Sequence, residues 1–438
     1  MPSLLLDTPA LNAPTIHQLP NGLTIIAEQM PVNAVNFNIW MTVGAAIEPD
    51  AISGMAHFLE HMIFKGTPNL PSGEFERRIE ERGAATNAAT SQEYTHYYIT
   101  AAPQDFAELA PLQWDTLLNP SIPDEAFNRE RLVVLEEIRR SEDNPNRRTH
   151  SRAMELCFER LPYRRPVLGS SAVIEQLQAQ QMRDFHAQWY RPERMTAAAV
   201  GNLPVDELIE VVAAGFDRAV SMQSRLPFTA PQLPTFIPEA PFSEVTRHEY
   251  EDDRLQQARL IMVWRVPGMQ QLDETYALDV ISAILGQGRM SRLFRDLREE
   301  RQWVTSIGAS NMTQGTQGLF YVGARLPVEN VEKVEAAIAE HLRSLQEECV
   351  VESDLDRICT QVANRFVFGN ERPSDRANLY GYYYSQLRNL EPAFEYPARI
   401  RTLTPADIRE AARRHLTPDA YGIVVARPAT AGEIIDNG

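Results

Sequence analysis

The sequence predicts an α+β protein of two related domains. Three observations carry that expectation: strand-like and helix-like segments are mixed along the chain, a proline-rich stretch breaks the pattern near its middle, and one helix-turn-strand segment recurs on either side of that stretch. With 438 residues, 44% of them hydrophobic, the chain is long enough for more than one core.

Alternating segments at 22–27 and 35–43 read as strands, with Asn21-Gly22 as a hairpin-turn signal. From Ser53 to Lys65 the apolar period becomes helical, and Gly66 and Pro68 act as stops. Glu93 to Ala101 reads as a strand because Tyr94, Tyr97, Tyr98 and Ile99 sit among threonines, and Asp124 to about Ser141 reads as a long helix. Between Ser221 and Ser243, Pro227, Pro231, Pro234, Pro238 and Pro241 describe a stiff, extended connection. The expected division is residues 1–222, a linker at 223–243, and 244–438. Met182 to Pro204 runs helix, Tyr-Arg-Pro, strand, while Ile408 to Pro428 runs helix, Leu-Thr-Pro, strand; Pro192 and Pro418 are 226 residues apart (418 − 192), which suggests a duplicated unit.

A net charge of −17 and a pI near 5.1 argue against a nucleic-acid partner; acidity keeps a protein soluble and would attract basic peptides. Three cysteines at 157, 349 and 359 make no disulfide framework and fit a reducing compartment. The N-terminal segment has no basic region, its apolar run Leu4 to Leu6 is broken by Asp7, and no apolar stretch approaches the roughly 18 residues that span a bilayer. The expected location is the cytoplasm, with no membrane partner.

His57-Phe58-Leu59-Glu60-His61 places two imidazoles one helical turn apart, a chelating pair for a metal such as zinc. Glu60 shares their flank and can accept a proton from a water held there. Fewer than about 0.03 chance occurrences of this pattern are expected from the composition. Two incidental histidines with a solvated glutamate would also fit the spacing, but apolar Phe58, Leu59 and Met62 crowd the motif, and a buried charge needs a partner. A catalytic zinc requires a third protein ligand. The helix Phe127 to Arg140 offers Glu130 and Glu137, seven residues apart on the face of Phe127 and Val134, and Glu136 about 100° away; helical geometry alone leaves Glu136 and Glu137 open.

These residues resemble the family of pitrilysin, insulin-degrading enzyme and mitochondrial processing peptidase, whose mark is His-x-x-Glu-His followed some 75 residues later by a glutamate. Here Glu137 lies 76 residues beyond His61 (137 − 61). The similarity includes SGMAHFLEHMIFKGT, GAATNAATSQEYTHYYIT, RPVLGS, WYRPERM and ILGQGRMSRLFRDLREERQW. It implies a zinc endopeptidase with one Zn2+ per chain, held by His57, His61 and Glu137, with Glu60 as catalytic base and Glu130 as an assisting catalytic glutamate. The fold it implies is two homologous α+β domains, each an antiparallel-rich mixed sheet flanked by helices, together forming half of a clamshell chamber. An extended peptide substrate would add to a sheet edge at Asn87, Ala88, Ala89 and Thr90, by backbone pairing that demands little of its sequence.

The second half departs from the family. Where an LRExRxxxY segment supplies an arginine that grips substrate and a tyrosine that stabilises the oxyanion, this chain has Leu297-Arg298-Glu299-Glu300-Arg301-Gln302-Trp303-Val304-Thr305. Arg298 is present, but Thr305 is too short to replace a phenol, and one lost oxyanion donor costs about 10²- to 10³-fold in rate. The expected partner is a homologous subunit that supplies the Arg/Tyr pair in a heterodimer. The alternative is a homodimer in which a tyrosine from Tyr380 to Tyr384 substitutes. A non-catalytic scaffold or processing subunit of the same fold is the rival from another class.

Overall fold

The computed structural model describes residues 14–221 and 231–429; residues 223–230 of the expected linker, Pro227 among them, lie outside these. Strands β1 (Thr15–Gln18), β2 (Thr24–Gln29), β3 (Val35–Met41), β4 (Ala85–Thr90), β5 (Thr95–Ala101) and β6 (Met195–Gly201) form one sheet in the order β1-β2-β6-β3-β5-β4. Strands β7 (Thr246–Asp252), β8 (Ala258–Pro267), β9 (Ser306–Met312), β10 (Gln317–Leu326) and β11 (Gly422–Pro428) form a second in the order β7-β11-β8-β10-β9. The helices of the first half are α1 (Met55–Ile63), α2 (Glu74–Glu81), α3 (Pro103–Leu118), α4 (Asp124–Asp143), α5 (Pro145–Cys157), α6 (Ser171–Gln176), α7 (Ala179–Trp189) and α8 (Val205–Ser221). Those of the second are α9 (Tyr276–Gly286), α10 (Val331–Glu347), α11 (Glu352–Phe368), α12 (Pro373–Leu387), α13 (Glu391–Arg401) and α14 (Pro405–His415).

The two sheets have one topology. β2 runs parallel to β6, as β7 does to β11, and the pairs that follow across each sheet are antiparallel. β2 to β6 therefore answer to β7 to β11 in order. Helix α7 leads into β6 as α14 leads into β11, which is the repeat anticipated from Pro192 and Pro418. The Asn21-Gly22 turn lies in the loop between β1 and β2, with Gly22 at φ 94° and the Asn21 side chain accepting from Leu23 N–H at 3.0 Å.

By compactness, one unit gathers the described residues up to Ile138, Pro166–Pro234 and Phe366–Tyr396; the other gathers Arg139–Arg165, Thr235–Arg365 and those from Pro397 onward. Each unit thus holds a segment from the opposite half of the sequence. In the first unit α12 packs on β3 and β6, and in the second α5 packs on the corresponding strands β8 and β11. Both helices open with proline, which suits the first turn, and both carry an arginine three residues later. Arg376 pairs with Glu28, and Arg148 with Asp252. These ion pairs tie each helix to corresponding strands of its sheet, α12 to β2 and α5 to β7.

In the first unit the sheet packs against α3 and α8 through Phe37, Phe106, Trp114 and Phe216, whose rings meet edge to face with centroids 5.0 to 5.9 Å apart. That core backs β3 and β5, and β5 with its neighbour β4 are the strands against which α1 lies.

Candidate metal centre

Helix α1 buries Met55, Phe58, Leu59 and Met62 and turns His57, Glu60 and His61 to its other flank. Its start is held in an unusual way. Gly54 adopts φ 95°, where a Cβ would stand 2.6 Å from the Leu168 carbonyl oxygen, so glycine is required on both counts. The carboxylate of Glu48, 2% exposed, accepts the N–H groups of Gly54 at 2.8 Å and Ala56 at 2.6 Å, satisfying donors that a helix leaves open at its N-terminus. Glu48 carries no signal in the sequence, because its acidic side chain caps the helix from six residues before Gly54 rather than from the cap position.

Phe127 of α4 stacks on Phe58 of α1 with ring centroids 4.5 Å apart, which brings the glutamate face of α4 to the histidines. Oε2 of Glu137 lies 3.5 Å from Nε2 of His57 and 3.5 Å from Nε2 of His61. The three donor atoms lie within 4.8 Å of one another, and among the described residues this is the group that could hold a metal. The arrangement chooses Glu137 over Glu136, which helical period could not do. Burial, with the adjacent His61, lowers the pKa of His57 to about 4, so its imidazole is neutral near pH 7 and keeps a lone pair for a metal. Two imidazole nitrogens and one carboxylate oxygen are the donor set of a catalytic zinc site, so the residues fit the ion that the motif implies.

Glu130 does not join that group. Its Oε1 lies 3.0 Å from Nδ1 of His61, and its Oε2 lies 2.7 Å from the ammonium of Lys65. Burial works to raise its carboxyl, but Lys65 and His61 outweigh it and hold the group below the usual range. Glu130, expected as an assisting glutamate, thus meets the ring of His61 at Nδ1, on the nitrogen opposite the one that faces Glu137. Lys65 had no signal in the sequence beyond its place in the motif block.

Glu60 is largely buried, and desolvation raises its carboxyl even though Thr90 and His61 oppose that shift, which suits a group that must take up a proton. Its Oε2 accepts the hydroxyl of Thr90 at 2.5 Å. Asn87, Ala88, Ala89 and Thr90 lie on β4, the edge strand of the first sheet, beyond which no further strand pairs among the described residues. Alternate residues of β4 turn their backbone groups to that edge, where Ala88 N–H donates to its neighbour Asn87 Oδ1 at 2.9 Å, and the Thr90 side chain contacts Glu60.

In the second unit Arg298 is engaged locally. Its Nε donates to the Thr305 carbonyl at 3.2 Å, it pairs with Glu299 at 2.5 Å, and its guanidinium lies 4.7 Å from the centroid of Phe294. The Thr305 hydroxyl lies 3.0 Å from Oε1 of Gln257 and 2.9 Å from the Arg325 carbonyl, both acceptors. Of the tyrosines at 380–384 offered as substitutes, Tyr380 is fully buried and donates its hydroxyl to Oε2 of Glu28 at 2.6 Å, so that hydroxyl is already committed.

Comparison with known proteins gives a consistent picture. Residues 24–171 match the family model described as Insulinase (Peptidase family M16), and residues 176–362 match that of the Peptidase M16 inactive domain. An uncharacterized zinc protease of Streptomyces coelicolor is 30% identical over 400 residues, covering 90% of this chain and 85% of that protein. The crystal structure of a protease from Helicobacter pylori superposes with a TM-score of 0.87 at 24% identity, over 95% of this chain and 100% of the other. The periplasmic protease PqqL from Escherichia coli matches with a TM-score of 0.77 at 16% identity, over 96% of this chain but 48% of that one.

Proposed function

The chain belongs to the insulinase family, peptidase family M16, and from that premise we propose that it is a zinc-dependent endopeptidase acting on peptides or extended, unfolded segments. The observation that carries the proposal is the convergence of His57, His61 and Glu137 beside Glu60. Zinc, when bound, supplies a Lewis acid that makes a water ligand more acidic and polarises a carbonyl. Glu60 takes the proton of the attacking water and hands it to the leaving amine. Backbone pairing along β4 would hold the peptide in an extended form, with Asn87, Ala88, Ala89 and Thr90 as its neighbours.

The second unit lacks an oxyanion donor at Thr305, and this supports a homologous partner subunit that supplies an arginine and a tyrosine. The fold match to PqqL points the same way, since that protein has length left for a second chain of this size. Unpaired cysteines, two of them buried, support a reducing compartment such as the cytoplasm. Among the described residues no helix is long and apolar enough to cross a membrane.

The test is metal analysis of the full chain, purified from its native host without chelators, with identification of co-purifying proteins. The proposal expects about one zinc per chain, lost in His57→Ala, and a co-purifying homologue that enables cleavage of a quenched fluorescent peptide. A chain without metal would identify a scaffold. A zinc-loaded chain that is inert with every co-purified partner would identify a regulatory or storage site.

A further inference from the structure

Thr90 was expected to serve only as backbone at a sheet edge, yet its hydroxyl is the closest polar neighbour of the catalytic glutamate, at 2.5 Å from Oε2. A glutamate carboxylate is free to turn about its last torsion, which is broad and two-fold, so a base on a short helix needs an external contact to present one oxygen. Oε2 is committed by accepting the Thr90 hydroxyl, and the Thr90 backbone N–H also bonds the carboxylate, so Thr90 holds Glu60 from two donors.

The structure also shows why Thr90 can act as a fixed reference. Thr90 and Thr95 form the last register pair of β4 and β5, and the turn beyond them is closed by Ser91 N–H to the Tyr94 carbonyl at 2.8 Å. That turn rests on residues 43–48. Ala45 N–H donates to the Ser91 carbonyl at 3.0 Å and Ala46 N–H to that of Gln92 at 2.6 Å, while a Cβ on Gly44 would stand 2.5 Å from the Ser91 oxygen. Thr95 donates its hydroxyl to the Val43 carbonyl at 2.9 Å. The same segment ends in Glu48, whose carboxylate holds the start of α1. One stretch of six residues, Val43 to Glu48, therefore fixes both the hairpin that carries Thr90 and the helix that carries Glu60.

We infer that Thr90 is a positioning residue for the general base: its hydroxyl orients the Glu60 carboxylate and ties it to the edge strand on which the peptide is laid. A peptide added to β4 and the base that serves it then share one frame, so register along the edge determines which peptide bond meets Glu60. This rests on the peptidase reading for its kinetic consequence, although the orientation of Glu60 can be observed without it.

The experiment compares wild type, Thr90→Val and Thr90→Ser as full chains, zinc-loaded and with the co-purified partner, on a quenched fluorescent peptide. Valine matches threonine in shape and β preference, so backbone pairing along β4 is retained. Expected for Thr90→Val are bound zinc and melting temperature as in wild type, KM within about twofold, and kcat lowered by about 10- to 100-fold, as for a misplaced catalytic group. Thr90→Ser should recover most of kcat. The inference is overturned if Thr90→Val keeps kcat within about twofold of wild type, if its loss lies in KM, or if serine fails to rescue. Crystal structures of wild type and Thr90→Val separate this from the peptidase reading. If zinc-loaded wild type cuts no peptide, that reading fails; a Glu60 carboxylate turned away in Thr90→Val still supports the positioning role, and one left in place refutes it.

Discussion

Oε1 of Glu130 meets Nδ1 of His61 at 3.0 Å, and this single contact fixes which imidazole nitrogen faces Glu137. A glutamine at 130 would keep the size but lose the charge that faces both His61 and Lys65. Glu130→Gln is expected to weaken zinc binding by about 10- to 100-fold, the usual cost of losing an outer partner of a metal ligand. Competition with a chelator of known affinity measures it. Unchanged affinity would show that His61 needs no such support.

Glu48 secures the helix that carries both histidines. Replacing it with alanine would leave the N–H groups of Gly54 and Ala56 buried without acceptors, at about 1–3 kcal/mol each. Glu48→Ala should lower the melting temperature and weaken zinc binding together. A fall in stability with unchanged zinc affinity would separate the cap from the site.

Much of this centre could be read in the sequence because its parts are local. His57, Glu60 and His61 lie within five residues, so spacing placed them; Glu130 and Glu137 share a helical face, and their roles were read from the family resemblance. The family resemblance was needed to select Glu137. The roles of Glu48, Lys65 and Thr90 were hidden because each depends on a contact made across the fold. The reciprocal placement of α5 and α12 was equally hidden: both helices follow ordinary helical patterns, and only their anchors, Arg148 with Asp252 and Arg376 with Glu28, reveal which sheet each one serves.

Tyr380 tests the reading in which this chain supplies its own oxyanion tyrosine. Its hydroxyl belongs to the buried Glu28 pair, so Tyr380→Phe should destabilise the protein by about 1–3 kcal/mol and leave peptide cleavage by the assembled enzyme unchanged. Thermal unfolding and kcat on the same preparation check both parts. A large loss of kcat with stability intact would favour a homodimer in which Tyr380 serves the oxyanion; Tyr382, Tyr383 and Tyr384 are tested by the same pair of measurements.

The second unit offers a pH test away from the metal. Glu239, 5% exposed, accepts N–H groups from Glu159 at 3.0 Å, Arg160 at 2.8 Å and Leu161 at 2.9 Å, and lies 3.1 Å from Arg265. Burial favours the protonated form, but these donors outweigh it and hold the carboxyl below its ordinary value of 4.5. Because the folded pKa is the lower one, the stabilising contribution is complete above about pH 4.5 and is lost as pH falls through the lowered value. Glu239→Gln should be less stable than wild type at neutral pH, with the gap narrowing below that point. A gap independent of pH would contradict the assignment.

Glu60→Gln tests the central claim most directly, with zinc content and peptide cleavage measured on one preparation. The side chain keeps its size and a carbonyl oxygen for Thr90, but it can no longer take up a proton. The account predicts about one zinc per chain, as in wild type, with turnover of the quenched peptide abolished. Cleavage at the wild-type rate by the zinc-loaded variant would contradict it.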